Sequence, residues 1–148
     1  MVAHPVRYTY REYLALDATS NVKLEYLAGQ HLGRIATIHP DGTLQVSPVG
    51  FRYNPSLGSI DVSGYNLTKS RKFKNIADNG KVAFVVDDLA TVQPWRPRCV
   101  EIRGHAEALA DDEGGPIIRI HPERIISFGI DETDTPAHSL SVNARDVG

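Results

Sequence analysis

The chain has 148 residues, with 16 Lys and Arg against 18 Asp and Glu, a net charge of −2, six His and one Cys. At about 150 residues per domain this length fits one domain, large enough to bury a core without disulfides or a metal, and 41% hydrophobic with 23% charged residues describes an ordinary globular chain. The slight acidity excludes a general nucleic-acid or anionic-membrane binder, and the lone Cys99 excludes an internal disulfide and points to a reducing, cytoplasmic setting.

Met1–Arg7 lacks the apolar segment of a signal peptide. The longest apolar runs, such as Val82–Val86, have about five residues against the roughly 20 of a membrane span, so a soluble protein is expected. Within an N-terminal helical segment, residues 1–30, Val22, Tyr26 and Leu27 share one helical face and Gly29 is suited to end the helix. His31–Ile38 reads as a strand, His39-Pro40-Asp41-Gly42 as a turn, and Leu44–Tyr53 as the strand that pairs back, interrupted or at an edge at Pro48.

Asn54–Gly58 is a second turn and Ser59–Gly64 a strand. Phe73, Ile76 and Ala77 then share one face of a short helix, with Thr68 or Ser70 as its cap and Asp78-Asn79-Gly80 as its stop. Lys81–Val86 has the continuous apolar run of a buried strand. Asp87–Arg98 reads as a Pro-rich loop, Cys99–Leu109 as the clearest long strand, and Asp111–Gly115 as a turn. Ile117–Ile120 and Arg124–Ile130 form two last strands joined by His121-Pro122-Glu123, and residues 131–148 form a polar tail. Six or seven short strands with one or two short helices favour an antiparallel barrel over a βαβ sheet, and 1–148 is expected to be a single domain.

No HExxH, Cys/His spacing, GxSxG, GxGxxG or Walker loop occurs, so no zinc site, nucleophile elbow, Rossmann or NTPase reading has support. The adjacent carboxylates Asp87-Asp88 and Asp111-Asp112 are read as solvated turns. The strongest feature is Lys69-Ser70-Arg71-Lys72-Phe73-Lys74, four cations in six residues at the start of a helix. A helix N-terminus with hydroxyls and cations suits a phosphate, while a solvated basic face and a single-stranded nucleic-acid contact are the other readings. Trp95, inside Pro94-Trp95-Arg96-Pro97-Arg98, suits cover over a flat ligand, a subunit anchor or a packed loop. Gly50 and Gly64 mark either a ligand approach or bulges.

In this order, Gly33-Arg34-Ile35-Ala36-Thr37, Pro40-Asp41-Gly42, Gln45-Val46-Ser47-Pro48-Val49, Ser70–Ile76, Val82–Asp88 and Val100–Gly104 resemble the pyridoxamine 5′-phosphate oxidase-like split β-barrel family of flavin and deazaflavin oxidoreductases. Each motif alone is weak, and their order and spacing from about Leu32 to Ile130 make the match specific. Ser70-Arg71-Lys72 with Asn75, the Trp95 loop and Arg119–Ile125 look closest to the branch that uses coenzyme F420, an 8-hydroxy-5-deazaflavin.

The resemblance implies a mainly β, six- to seven-stranded antiparallel split barrel. It further implies a homodimer with cofactor sites between the subunits, and a hydride transfer to a small or medium unsaturated organic substrate. The cofactor phosphate would lie at Ser70, Arg71 and Lys72 with Asn75 nearby; Gln45, Val46, Ser47, Pro48, Ser63 and Gly64 would flank the tricyclic ring; and Trp95 and Arg96 would reach it from the partner. The interval from Ser63 to Lys72 is slightly longer than in some FMN-using relatives. FMN is the alternative cofactor, and a non-enzymatic flavin, deazaflavin or haem carrier the alternative role. No catalytic residue is identified; Tyr65 is the one candidate beside the ring, and no metal, nucleic acid or membrane partner is expected.

Overall fold

The computed structural model describes residues 18–147; residues 1–17, over half of the expected N-terminal helical segment, and Gly148 lie outside the described residues. In chain order the elements are α1 (Ala18–Ala28), β1 (Leu32–Ile38), β2 (Leu44–Asn54), β3 (Ser59–Ser63), a 3-10 turn (Leu67–Lys69), α2 (Arg71–Asn79), β4 (Lys81–Thr91), β5 (Arg96–Leu109), β6 (Ile117–Phe128), a second 3-10 turn (Ala137–Ser139) and β7 (Asn143–Asp146). The strand order is β3-β2-β1-β4-β5-β6-β7, every pairing is antiparallel, and β3 also pairs with β6. Six strands therefore close into a barrel, with β7 outside against β6. The expected mainly β split barrel is the observed fold.

Local chemistry sets the first hairpin. The Asp41 carboxylate accepts from the Thr43 N–H at 2.8 Å, and Gly42 sits at φ +91°, where a side chain is disfavoured. In β1, Gly33, Ile35 and Thr37 point into the barrel while Leu32 and Arg34 point out. The interior is filled by Ile35, Ile60, Val62, Phe84, Ile118 and Ile120, each almost fully buried, and Phe51 meets Phe84 edge-on at 5.2 Å between ring centroids. Gly33 makes room for that ring: a Cβ there would lie 2.2 Å from Phe84 Cζ.

The structure corrects several expectations. In α1, Tyr26 and Leu27 are buried but Val22 is exposed, because the buried face is centred on Lys23, Tyr26 and Leu27. In α2, Phe73 and Ile76 are buried while Ala77 is exposed, and the polar Asn75 takes the inward place. Val82, Phe84 and Val86 point inward while Ala83 and Val85 are only half-buried, so the apolar run of β4 covers both faces unequally. The expected Asp87–Arg98 loop is instead a hairpin extension, with only residues 92–95 in the turn. A bulge between Leu89 and Thr91 accommodates Pro97 in that ladder.

Likewise β6 is one strand where two were expected. Its register runs Arg103↔Arg124 and then Gly104↔Pro122, so Glu123 is the bulged residue and the proline is tolerated. Gly104 allows this crowding, since a Cβ there would lie 2.0 Å from the His121 carbonyl oxygen. The polar tail also contributes structure: β7 pairs with Arg124–Ser127, Arg124 bonds Asp146 at 2.7 Å, and Val147 is buried.

The barrel seam carries a buried ion pair. Arg119 on β6 donates through Nε and Nη2 to the two oxygens of Asp61 on β3, at 3.1 and 3.2 Å. Asn54 and Ser59 donate to the same carboxylate at 3.1 and 2.9 Å. Burial opposes ionisation of Asp61, but Arg119 and the two neutral donors outweigh it and hold the carboxyl below its ordinary range.

Two outcomes follow from these contacts. Asp61→Ala is expected to cost about 3 kcal/mol at neutral pH, the lower end for breaking a buried pair, since Arg119 also reaches Asp112. Because the folded carboxyl titrates below its unfolded value of about 3.9, the wild-type advantage is complete above that pH and shrinks as pH falls below it; denaturant melts of both proteins across acidic pH check this. Gly33→Ala is expected to cost about 1–3 kcal/mol by overpacking against Phe84, read as a lowered thermal midpoint.

Candidate functional site

Among the described residues, the pocket beneath α1 is too small for a cofactor. That pocket, lined by Leu24, Leu27, Ile60, Val100 and Ile102, is about 30 Å³, room for about one water, whereas ligand pockets need roughly 300 Å³ or more. Larger openings lie on the surface, one of about 570 Å³ along Arg34, Val85, Trp95 and Arg98.

The most charged part of that surface is the start of α2. Ser70 caps the helix: its Oγ accepts from the Phe73 N–H at 3.3 Å, while its own hydroxyl donates to the Leu67 carbonyl at 2.5 Å. Of the two expected caps, Ser70 is therefore the one used, and Thr68 falls in the preceding 3-10 turn. Lys69, Arg71, Lys72 and Lys74 make no ion pair with an acidic side chain among the described residues. Elsewhere, Arg34, Arg98, Arg103, Arg119 and Arg124 are all paired with carboxylates. Four unpaired cations at a capped helix N-terminus form an open anion-binding surface.

Behind this helix start stands a polar wall. Asn75 is 0% exposed and donates to Thr37 Oγ1 at 3.1 Å and Gln45 Oε1 at 3.3 Å, joining α2 to β1 and β2. Asn75 Oδ1 and Ser47 Oγ are buried without a hydrogen-bond partner. The expected site residues of β2 divide by side-chain alternation: Gln45 and Ser47 turn inward with Val49, whereas Val46 and Pro48 turn outward with Leu44 and Gly50. They form two faces of one strand rather than one cluster.

That strand has an open edge. β1 pairs with all of Leu44–Gly50, but β3 pairs only from Gly50 onward, opposite Ser63. Leu44–Val49 thus has one unpaired side among the described residues, and Pro48 lies on it without interrupting the strand. Gly50, Ser63 and Gly64 come together where the edge ends. A Cβ at Gly50 or Gly64 would meet nothing within 4 Å, so neither glycine is required by packing inside this chain. Tyr65, just beyond, is fully exposed.

The hairpin tip shares an open surface groove with Arg34 of β1 and Val85 of β4. Trp95 is 57% exposed at the end of the β4–β5 turn. Arg96 does not face open space: its guanidinium donates to the Thr133 carbonyl and lies 3.6 Å from Asp134, which ties the tip to the segment after β6. The root is fixed by a knot where Asp87-Asp88, expected as solvated turn residues, lie in strand β4. Asp88 accepts from Tyr26 Oη at 3.0 Å, from Gln30 at 3.2 Å and from Arg98 Nε at 2.8 Å, and Arg98 stacks on the Tyr26 ring. The Arg98 bonds hold the Asp88 carboxyl below its ordinary range; burial, with Asp88 adding to it, raises Tyr26 above its own.

Other groups offer less. Cys99 is buried, and burial, with the nearby Asp87 and Glu101 charges, pushes its thiol up to about 11, so it stays protonated at neutral pH. His105 and His121 stack at 4.9 Å, each bonded to a glutamate. No group of three or more metal-ligating side chains occurs among the described residues, and no described helix is long and apolar enough to cross a membrane.

Comparison with known proteins agrees with this architecture. Over 134 residues the chain is 39% identical to a 5a,11a-dehydrotetracycline/5a,11a-dehydrooxytetracycline reductase of Streptomyces rimosus, covering 85% of this chain and 94% of the relative. Its fold is similar to that of a conserved hypothetical protein from Mycobacterium tuberculosis, with a TM-score of 0.64, 18% identity and coverage of 85% and 92% of the two chains. It is also similar to an FAD-binding protein from Mycobacterium smegmatis, with a TM-score of 0.57, 22% identity and coverage of 76% and 93%. The sequence model of the pyridoxamine 5′-phosphate oxidase family matches residues 22–129, from within α1 to just past the end of β6. The chain therefore belongs to the pyridoxamine 5′-phosphate oxidase family of split barrels.

Proposed function

We propose that this protein is a deazaflavin-dependent reductase that binds coenzyme F420 and transfers a hydride to a carbon–carbon double bond of an unsaturated organic molecule. The coarser reading, a flavin-type oxidoreductase, is supported by the family and by the reductase relative. The observation that carries the finer reading is the set of four unpaired cations at the capped start of α2, beside an unpaired strand edge. The relative's 5a,11a-dehydrotetracycline substrates support a flat, polycyclic substrate class here.

The residues present fit such a cofactor. Ser70, Arg71 and Lys72 supply a hydroxyl and two charges for a phosphate. The outward face of Val46 and Pro48, with the open space at Gly50 and Gly64 beside Ser63, suits a flat ring system, and Gln45 offers a polar end behind it, while Ser47 Oγ is buried. When bound, a deazaflavin supplies the hydride chemistry itself. The chain's part is to hold the phosphate by charge, keep the ring against an apolar wall and shield it from water. No side chain of the described residues is held where it would serve as a fixed acid; Tyr65 stands in open solvent.

The apolar wall also supports a homodimer. Leu44 and Val46, on the outer face of β2, are 76% and 67% exposed, and Leu32, at the far end of β1, is 61% exposed, exposed apolar side chains of the kind that a second copy covers. Covering them would enclose a ring lying on the same face, with Trp95 of the second copy as the expected apolar cover. Arg96, held by Thr133 within its own chain, would steady that tryptophan.

Fluorescence titration of the purified protein with coenzyme F420 and with FMN tests the cofactor. Tight binding of the deazaflavin with much weaker FMN binding is expected; preference for FMN would move the protein to flavin chemistry, and binding of neither would remove the basis of the reading. Lys72→Ala is expected to weaken the deazaflavin by about 1.5–3 kcal/mol, roughly tenfold to a hundredfold, and unchanged affinity would sink the phosphate site. Sedimentation tests assembly: the wild type should run as a dimer and Val46→Glu as a folded monomer, whereas a wild-type monomer at micromolar concentration would overturn the interface.

A further inference from the structure

Asn75 belongs to the cofactor wall but has no surface with which to touch a ligand. It is 0% exposed, and both hydrogens of its Nδ2 group are used, one on Thr37 Oγ1 and one on Gln45 Oε1. A side-chain amide has one donor end and one acceptor end. With its Oε1 turned toward Asn75, Gln45 must present its Nε2 end on the other side. That Nε2 makes no bond within the chain and is not among the buried unpartnered atoms, so it is open to solvent.

The opposite arrangement is disfavoured. Turning Gln45 alone would set its NH₂ against the NH₂ of Asn75, donor against donor. Turning both amides together would place the two-donor end of Asn75 in the buried position where one unpartnered acceptor, Oδ1, now sits. The buried amide therefore fixes the polarity of the exposed one.

We propose that Asn75 is a positioning residue, acting through Gln45, and that Gln45 Nε2 donates a neutral hydrogen bond to an acceptor oxygen of the bound cofactor. This rests on the cofactor-site reading above and assigns a division of labour within it: the cations of α2 attract the anion, and the oriented amide reads an uncharged or shared oxygen. The acceptor belongs either to the phosphate or to a ring carbonyl, and a deazaflavin lacking the phosphate separates the two.

The test is a double-mutant cycle on the full chain, read by fluorescence titration with coenzyme F420. Gln45→Met removes the donor while nearly keeping shape and neutrality, and should weaken binding about tenfold, the effect of one lost hydrogen bond. Asn75→Asp reverses the buried polarity, turns Gln45 around, and should cost a similar factor. Acting through the same atom, the two together should cost about tenfold and not a hundredfold. Additive losses would make Asn75 merely structural and overturn the positioning role. Unchanged binding in Gln45→Met would overturn the whole inference, and that variant decides alone if Asn75→Asp does not fold. Equal losses with the phosphate-free deazaflavin assign the acceptor to the ring; loss confined to F420 assigns it to the phosphate. Failure of the wild type to bind F420 would instead overturn the functional reading and, with it, this one.

Discussion

The shortness of β3 governs this molecule. Its five residues pair with the far half of β2 on one side, three of them, Ile60–Val62, pair with Ile118–Ile120 on the other, and that is enough to close the barrel. It is not enough to cover the near half of β2. The Asp61–Arg119 pair explains how so short a strand holds the seam: the carboxylate is saturated by four donated bonds from three residues, so its burial is compensated rather than tolerated. Closure at one end of β3 and an open edge at the other are consequences of one length.

Charge is distributed with the same economy. Around the barrel, arginines meet carboxylates across strands, as Arg34 meets Asp87, Arg98 meets Asp88 and Arg124 meets Asp146. The start of α2 differs in gathering four cations without a carboxylate partner among the described residues. The glycines at Gly50 and Gly64 are exceptions of the same kind, since the space next to them is empty. A requirement left unmet inside the chain is a stronger pointer to a ligand than the mere presence of basic or small residues.

Much of this was legible in the sequence, because it depended on local rules. The β1–β2 hairpin follows from Asp41-Gly42, the α2 boundaries from Ser70 and Gly80, and the barrel class from strand spacing. What was hidden depended on partners distant in sequence. Asp87-Asp88 reads as a turn until Arg98 and Tyr26 arrive across ten and sixty-two positions. Pro97 and Pro122 read as breaks, because nothing local shows that a bulge will absorb them. The tail reads as unstructured, because β7 is polar and forms only by borrowing the edge of β6. At the site, the basic helix start and the members of the wall were visible, but the division of β2 into two faces and the burial of Asn75 needed the register.

Pro48 carries a consequence of a different kind. An unpaired strand edge beside exposed Leu44 and Val46 is a template on which another strand can grow, the usual beginning of edge-to-edge aggregation. The ladder to β1 runs unbroken through Arg34↔Pro48, so the missing N–H of the proline falls on the open side. An incoming strand would lose a hydrogen bond near the end of this open stretch, Leu44–Val49. The same residue that keeps this edge unpaired thus makes it a poorer template for fibrous growth.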